Sequence, residues 1–188
     1  MENFWKGNLI RLRAATGEDT PLFINENGDF DTETARRYDY IEFPLSNEQI
    51  SKKLSAYDKE KTNKDDYLFV IETLNHERAG FIIVFDCDTK NGTFKYGLFL
   101  LEEFKGRSLG TEAVKIMLNY YFNELRYNKV NVYIYDYNKP SLKFHEKLGF
   151  TKEGQLRQMA YSAGKYHDII FYGMTKDEFN KSNPLKAL

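Results

Sequence analysis

The chain has 188 residues, 41% of them hydrophobic and 16% aromatic, which is the size and composition of one globular domain and argues against disorder. Its 27 Lys+Arg are balanced by 28 Asp+Glu, a formal net charge of -1, so no broad basic surface for nucleic acid is expected. One cysteine (Cys87) excludes an internal disulfide, and the three histidines offer no zinc-ligand spacing. No apolar run reaches the ~20 residues of a membrane span, so the expectation is a cytoplasmic protein with no metal and no membrane partner.

Asn8 to Arg13 alternates as a first strand, and Thr16 to Asp19 reads as a capping threonine followed by acidic residues opening a short helix. From Glu26 to Glu48 the chain turns acidic, with Glu26, Asp29, Asp31, Glu33, Asp39, Glu42 and Glu48 set against Arg36 and Arg37 alone. Ser46-Asn47-Glu48-Gln49 has the form of a capping box and predicts a helix from about Glu48 to Tyr57. Tyr67 to Ile71 and Ala79 to Phe85 are β-branched and aromatic and form a predicted hairpin, and Lys90-Asn91-Gly92 turns the chain into a third strand, Phe94 to Leu101.

Beyond Phe104-Lys105-Gly106-Arg107-Ser108-Leu109-Gly110, the spacing of Val114, Leu118, Tyr121, Phe122 and Leu125 predicts a helix over Thr111 to Leu125. Val130 to Tyr135 alternates as a strand. Asn138-Lys139-Pro140-Ser141 opens a second helix, and Gly149 ends it. Leu156 to Tyr161 and Tyr166 to Met174, joined by Ala163-Gly164-Lys165, close the chain as a hairpin, and Lys176 to Lys186 reads as a solvated tail. No linker or internal repeat divides the chain.

The stretch from Leu98 to Thr111 carries the first chemical signal. A strand runs into a basic, glycine-containing loop that opens a helix, so the amides of Arg107 to Thr111 and the helix dipole would favour an anion, with Lys105 and Arg107 adding charge. The loop is neither a Walker loop nor a three-glycine dinucleotide fingerprint. From the residues alone, a phosphate cradle and a plain strand-to-helix turn both remain open.

The wider pattern resembles the GNAT superfamily of acyl-CoA-dependent N-acetyltransferases. That family's loop is Gln/Arg-x-x-Gly-x-Gly/Ala, matched here by Lys105-Gly106-Arg107-Ser108-Leu109-Gly110, with Lys105 and Ser108 departing from it. About thirty residues on, the family's Asn-x-x-Ala/Ser-x-x-x-Tyr-Glu-Lys-x-Gly-Phe is matched by Asn138 to Phe150, with Ser141 in place and His145 at the tyrosine position. Glu153-Gly154-x-x-Arg157 and Gly164-Lys165-Tyr166-His167-Asp168 resemble the ending of the branch that contains ribosomal-protein N-terminal acetyltransferases and spermidine acetyltransferases.

The resemblance implies an α/β (α+β) GNAT-type fold in a single domain, 1–188. Its mixed sheet would have about seven strands, antiparallel except for one splayed parallel pair, and about four flanking helices. The substrate arm would lie at about 16–60, the acetyl-CoA-binding core at about 94–150 and the terminal hairpin at about 154–175. The cosubstrate would be acetyl-CoA, held by the backbone of Phe99, Leu100 and Leu101 and the loop Lys105, Gly106, Arg107, Ser108, Leu109, Gly110 and Thr111. Asn138, Ser141 and Lys143 would form the other wall. The N–H of Leu100 would polarise the thioester carbonyl.

His145 is the candidate acid for the thiolate, against a reading as a packed core histidine beside Leu142 and Leu148. Glu102 is the first candidate base, followed by Glu72 and Asp168, with a water chain as the alternative. Cys87 and Trp5 read as structural. The acceptor would be a primary amine: a polyamine, a protein amino terminus or an aminoglycoside, which an acidic arm would attract. A homodimer is compatible with the pattern. The competing readings are a non-catalytic acyl-CoA sensor and a nucleotide-binding module.

Overall fold

The computed structural model describes residues 3–22, 46, 48, 49, 52 and 63–183. The expected acidic arm therefore lies almost wholly outside the described residues. Of the helix expected from Glu48, residues Glu48, Gln49 and Lys52 are helical. The capping box that opens it is formed: Gln49 N–H donates to Ser46 Oγ at 3.2 Å, and Ser46 N–H donates to Gln49 Oε1 at 2.7 Å.

The strands are β1 (Ile10–Ala14), β2 (Tyr67–Thr73), β3 (Arg78–Asp88), β4 (Thr93–Leu100), β5 (Lys129–Tyr135), β6 (Thr151–Ser162) and β7 (Lys165–Thr175). They form one seven-stranded sheet in the order β1-β2-β3-β4-β5-β7-β6. Every pairing is antiparallel except β4 with β5. The helices are α1 (Leu109–Asn119), α2 (Lys139–Leu148) and α3 (Lys176–Ser182), with a 3-10 turn at Gly17–Leu22 and another at Glu102–Phe104. No helix among the described residues is long and apolar enough to cross a membrane.

Pairing register and strand alternation sort the side chains. Leu12, Ile71, Ile82, Val84, Phe94, Tyr96, Leu100, Val132, Ile134 and Ile170 lie on one face. Phe94 on this face stacks on Tyr121 just beyond α1, and Tyr96 meets His145 of α2, so both helices cover it. Arg11, Arg13, Glu72, Phe81, Phe99, Tyr133, Tyr135 and His167 lie on the opposite face.

Three local expectations are corrected. The helix over Thr111 to Leu125 ends as an α-helix at Asn119 and continues as a π-helical turn at Tyr120–Glu124. Neighbouring α-helical residues point 100° apart, whereas the wider turn lets both Tyr121 and Phe122 enter the core, against Phe94 and Phe179. Thr16 does precede the expected short helix, which is the 3-10 turn Gly17–Leu22, but its hydroxyl accepts no helix N–H; its N–H and hydroxyl both donate to buried Asp19, at 2.8 and 3.1 Å. The polar tail is in fact α3, begun by a Thr175–Glu178 capping box and anchored by buried Phe179. A single apolar residue in a charged run leaves no periodic signal to read.

Asp19 has no exposed surface. It accepts from Arg13 Nη1 and Nη2 at 2.8 and 2.7 Å, and Arg78 Nε lies 3.1 Å away. Burial alone would raise its pKa, but Arg13 and the Thr16 N–H outweigh that and pull it down to about 2.

Candidate active site

β4 and β5 pair only over Thr93↔Lys129, Phe94↔Val130 and Lys95↔Asn131, and part beyond them. Which backbone groups enter the resulting gap follows from one hydrogen bond, the donation of Leu101 N–H to Ala79 O on β3 at 3.0 Å. Successive residues of a strand turn their N–H and C=O to opposite edges. Leu101 and Phe99 therefore face β3, and Leu100 faces the gap. Of the three backbone positions expected to line the slot, only Leu100 is so oriented; Leu101 is taken by β3, and an ideal Cβ on Gly80 would sit 2.0 Å from the Phe99 carbonyl oxygen. Gly80 thus lets β3 and β4 approach just beneath Leu100. A glycine inside the strand run Ala79 to Phe85 was the signal that sequence reasoning passed over.

The loop after β4 presents α1 to the same gap. Gly106 and Ser108 both have positive φ, 75° and 62°. Ser108 caps α1 in the left-handed region without a side-chain cap bond, which explains why the related pattern has glycine there. The first N–H groups of α1 have no carbonyl one turn earlier in the helix and point out of its N-terminus. Gly110 brings that N-terminus against the sheet: an added Cβ would lie 3.2 Å from both Leu98 Cδ2 and Leu100 Cδ1, and 3.7 Å from Phe144 of α2. Arg107 lies over the Phe104 ring, and Lys105 pairs with Glu102. The acid in the first turn of α1, Glu112, anchors the amino-terminal segment, accepting from the N–H groups of Asn8, Leu9 and Ile10 at 2.7, 2.8 and 3.0 Å.

On the far wall, Asn138 caps α2 by accepting from Ser141 N–H at 3.3 Å, and Lys143 is exposed on the helix. His145 is buried, only 6% exposed. Its Nδ1 is 2.8 Å from the Ser141 carbonyl, to which it donates, and its Nε2 accepts from the Tyr96 hydroxyl at 2.9 Å. Burial lowers its pKa to about 4, against a smaller upward effect of the Ser141 carbonyl. A neutral ring with both nitrogens engaged has no proton to release near neutrality, so the geometry favours packing over the acid role expected of His145.

The candidate bases are arranged differently from one another. Glu102 is exposed in the 3-10 turn with its carboxylate on Lys105. Burial would raise the pKa of Glu72, but hydrogen bonds from Arg13, His76 and Arg11 bring it below the ordinary range. Asp168 is lowered by the Gln158 N–H, 2.8 Å away, and by Gln155, which binds the β6–β7 hairpin together. The Cys87 thiol is pushed up, first by burial and then by Asp66, so it is no nucleophile. Trp5 packs between Phe69 and Tyr120 at 5.1 and 4.6 Å.

Sequence reasoning weighed Asp168 and missed the residue before it. His167 of β7 is buried and places Nδ1 2.9 Å from Asp136 Oδ1, at the end of β5. Its ring meets Tyr137 edge-on at 4.6 Å, and Tyr137 stacks on Tyr135 at 5.3 Å.

A mixed sheet opened at its one parallel pair, with a helix N-terminus at the mouth, is the frame of an acyl-group transferase, and comparison with known proteins agrees. Residues 10–151 match the acetyltransferase (GNAT) domain model. The chain is 39% identical over 176 residues to the SPbeta prophage-derived uncharacterized N-acetyltransferase YokL of Bacillus subtilis, covering 94% of this chain and 95% of that one. It is 26% identical over 114 residues to spermidine N(1)-acetyltransferase of Escherichia coli (strain K12), covering 61% of each. A structure of Vibrio cholerae spermidine N-acetyltransferase in complex with CoA and spermine superposes with a TM-score of 0.78 at 18% identity, covering 92% of this chain and 99% of that one. The chain belongs to the GNAT acetyltransferase family, and it is an N-acetyltransferase.

Proposed function

We propose that the chain transfers the acetyl group of acetyl-CoA directly to a primary amine of a cationic small molecule, with polyamines the favoured class. The observation that carries this reading is the β4–β5 gap, which has the Leu100 N–H turned into it and the N-terminus of α1 at its mouth. The names of the spermidine acetyltransferase relatives support the choice of acceptor.

In this reading the amides of Arg107 to Thr111 and the charge of Lys105 and Arg107 bind the diphosphate, and Gly110, lacking a side chain, seats that N-terminus against Leu98 and Leu100. The loop residues Gly106, Ser108 and Leu109 shape that cradle. Ser141 and Lys143 border the opposite wall beside Asn138. Acetyl-CoA supplies the activated thioester. The Leu100 N–H hydrogen-bonds the thioester oxygen as the amine nitrogen adds to the carbonyl carbon, which places a preformed donor where negative charge develops. The C–S bond then breaks, and the thiolate takes a proton from water. An aliphatic thiol of pKa about 8.5 is a competent leaving group without His145.

The test is thiol release from acetyl-CoA with spermidine, spermine, an aminoglycoside, free amino acids and amino-terminal peptides. Polyamine-dependent release supports the reading. CoA-induced thermal stabilisation with no release from any acceptor would replace it with a sensor.

A further inference from the structure

The acceptor must lose a proton, and none of the carboxylates considered above is arranged to take it. We propose that Nε2 of His167, with Asp136 fixing its tautomer, is the base that receives the proton of the acceptor ammonium. This rests on the acetyl-transfer reading.

The first support is position. Lys95 is in register with Asn131, so Leu100, five residues on along β4, is level with Asp136, five residues on and one past the end of β5. Asp136 N–H donates to the Asp168 carbonyl at 3.0 Å, which continues the β5–β7 ladder and brings Tyr137 opposite His167. The histidine therefore stands one strand beyond the gap, beside the end of β5 and close to the height of the N–H that would hold the thioester oxygen.

The second support is the side of the sheet. α1 and α2 cover one face, and Gly110 and Phe144 meet beside Leu98 and Leu100 on it. A thioester lying in the gap is approached by its cosubstrate portion from that face, leaving the opposite face to the amine. His167, Tyr135 and Tyr137 are on that opposite face, and their rings suit an ammonium group before it is deprotonated.

The third support is the state of the ring. The 2.9 Å contact with Asp136 Oδ1 holds the proton on Nδ1 and leaves a lone pair on Nε2. Nε2 has no hydrogen-bond partner among the described residues, and no fully buried side-chain nitrogen or oxygen there lacks one, so Nε2 is not wholly enclosed. His145 is the contrast, with both nitrogens engaged. Among the described residues, the charged and titratable groups that meet His167 include Asp136 just past β5, Asp168 of its own strand and Tyr137.

The step balances. The ammonium proton moves to Nε2, the neutral amine forms its C–N bond as the C–S bond of the thioester breaks, one N–H proton of the adduct leaves to solvent, and the thiolate is protonated. The imidazolium returns its proton to solvent.

The experiment compares His167→Gln and Asp136→Asn with the wild type, using the best acceptor from the thiol-release screen, in pH profiles of kcat/KM with CoA affinity measured by calorimetry. Wild-type kcat/KM should rise with pH. His167→Gln should lower kcat about 10²-fold or more and flatten that rise while CoA affinity stays within twofold. Asp136→Asn should give an intermediate loss. Independently of either variant's folding, ¹⁵N NMR of the wild-type ring should show the Nδ1–H tautomer above neutral pH. An Nε2–H tautomer, or a His167→Gln profile that matches wild type, overturns the assignment while leaving acetyl transfer standing. A wild type that acetylates no acceptor overturns both.

Discussion

Replacing His145 by Phe separates a core histidine from a catalytic acid. The phenyl ring fills nearly the same volume but leaves the Tyr96 hydroxyl, on a residue 5% exposed, without its 2.9 Å partner. An orphaned buried hydroxyl costs about 1–3 kcal/mol, and at about 2–4 °C per kcal/mol for a chain of this length the melting temperature at pH 7.5 should fall by about 2–12 °C. Tyr96→Phe alone should cost a similar amount by orphaning Nε2. The double variant removes both polar groups and should recover most of the loss.

The pH dependence supplies a second reading of the same pair. The folded pKa of about 4 lies below the ordinary 6.5, so the unfolded chain binds the proton first as pH falls. The stabilising effect of a neutral His145 is complete above pH 6.5 and is lost on acidification down to pH 4, amounting to about 3 kcal/mol. The double variant lacks this term, so its chemical-denaturation midpoint should fall less steeply over that interval than the wild type's. Parallel curves from pH 6.5 to 4, or a double variant as unstable as the sum of the singles, would refute the reasoning. A kcat loss of about 10²-fold in the double variant with unchanged CoA affinity would return His145 to the chemistry.

Gly110→Asp should weaken CoA at least 10-fold by calorimetry, and Gly110→Ala, which meets the tips of Leu98 and Leu100 at 3.2 Å and Phe144 at 3.7 Å, should weaken it less; equal losses would make the effect steric rather than electrostatic. Ser108→Gly should raise stability by about 1 kcal/mol in thermal or urea unfolding, because φ of 62° strains a serine that makes no cap bond. Asp19→Asn should cost about 3 kcal/mol by removing the buried carboxylate shared by Arg13 and Arg78, leaving Arg13 with Glu72 alone, and the wild-type contribution should vanish as pH falls from 3.8 to 2. Cys87→Ala should cost about 1 kcal/mol and leave turnover unchanged, since its thiol is buried and held protonated; abolished turnover would demand a covalent mechanism.

What could be read from the residues was whatever local chemistry determines. Asn138 and Gly149 bound α2 as cap and left-handed stop, at φ of 94°, because capping depends on residues within one turn. Strand composition and alternation located all seven strands, although β6 begins at Thr151, five residues before the expected Leu156, and the glycine loop located the start of α1. The site's inner geometry depends instead on contacts distant in sequence. Leu100 rather than Leu101 enters the gap because of one bond to Ala79, and His145 is neutral because the fold buries it against β4, whose Tyr96 reaches its Nε2. Asp136 and His167 are separated by thirty-one positions and meet only through the β5–β7 register. The helix at Lys176 escaped because its one buried side chain has no periodic companions.

The central claim, that the loop after β4 holds the diphosphate while Leu100 faces the thioester, is tested most directly by a ¹H–¹⁵N NMR titration with CoA and acetyl-CoA. The account predicts the largest amide shifts at Arg107 to Thr111 for both ligands and an additional shift at Leu100 for acetyl-CoA. Saturable binding that leaves those amides unmoved would contradict it.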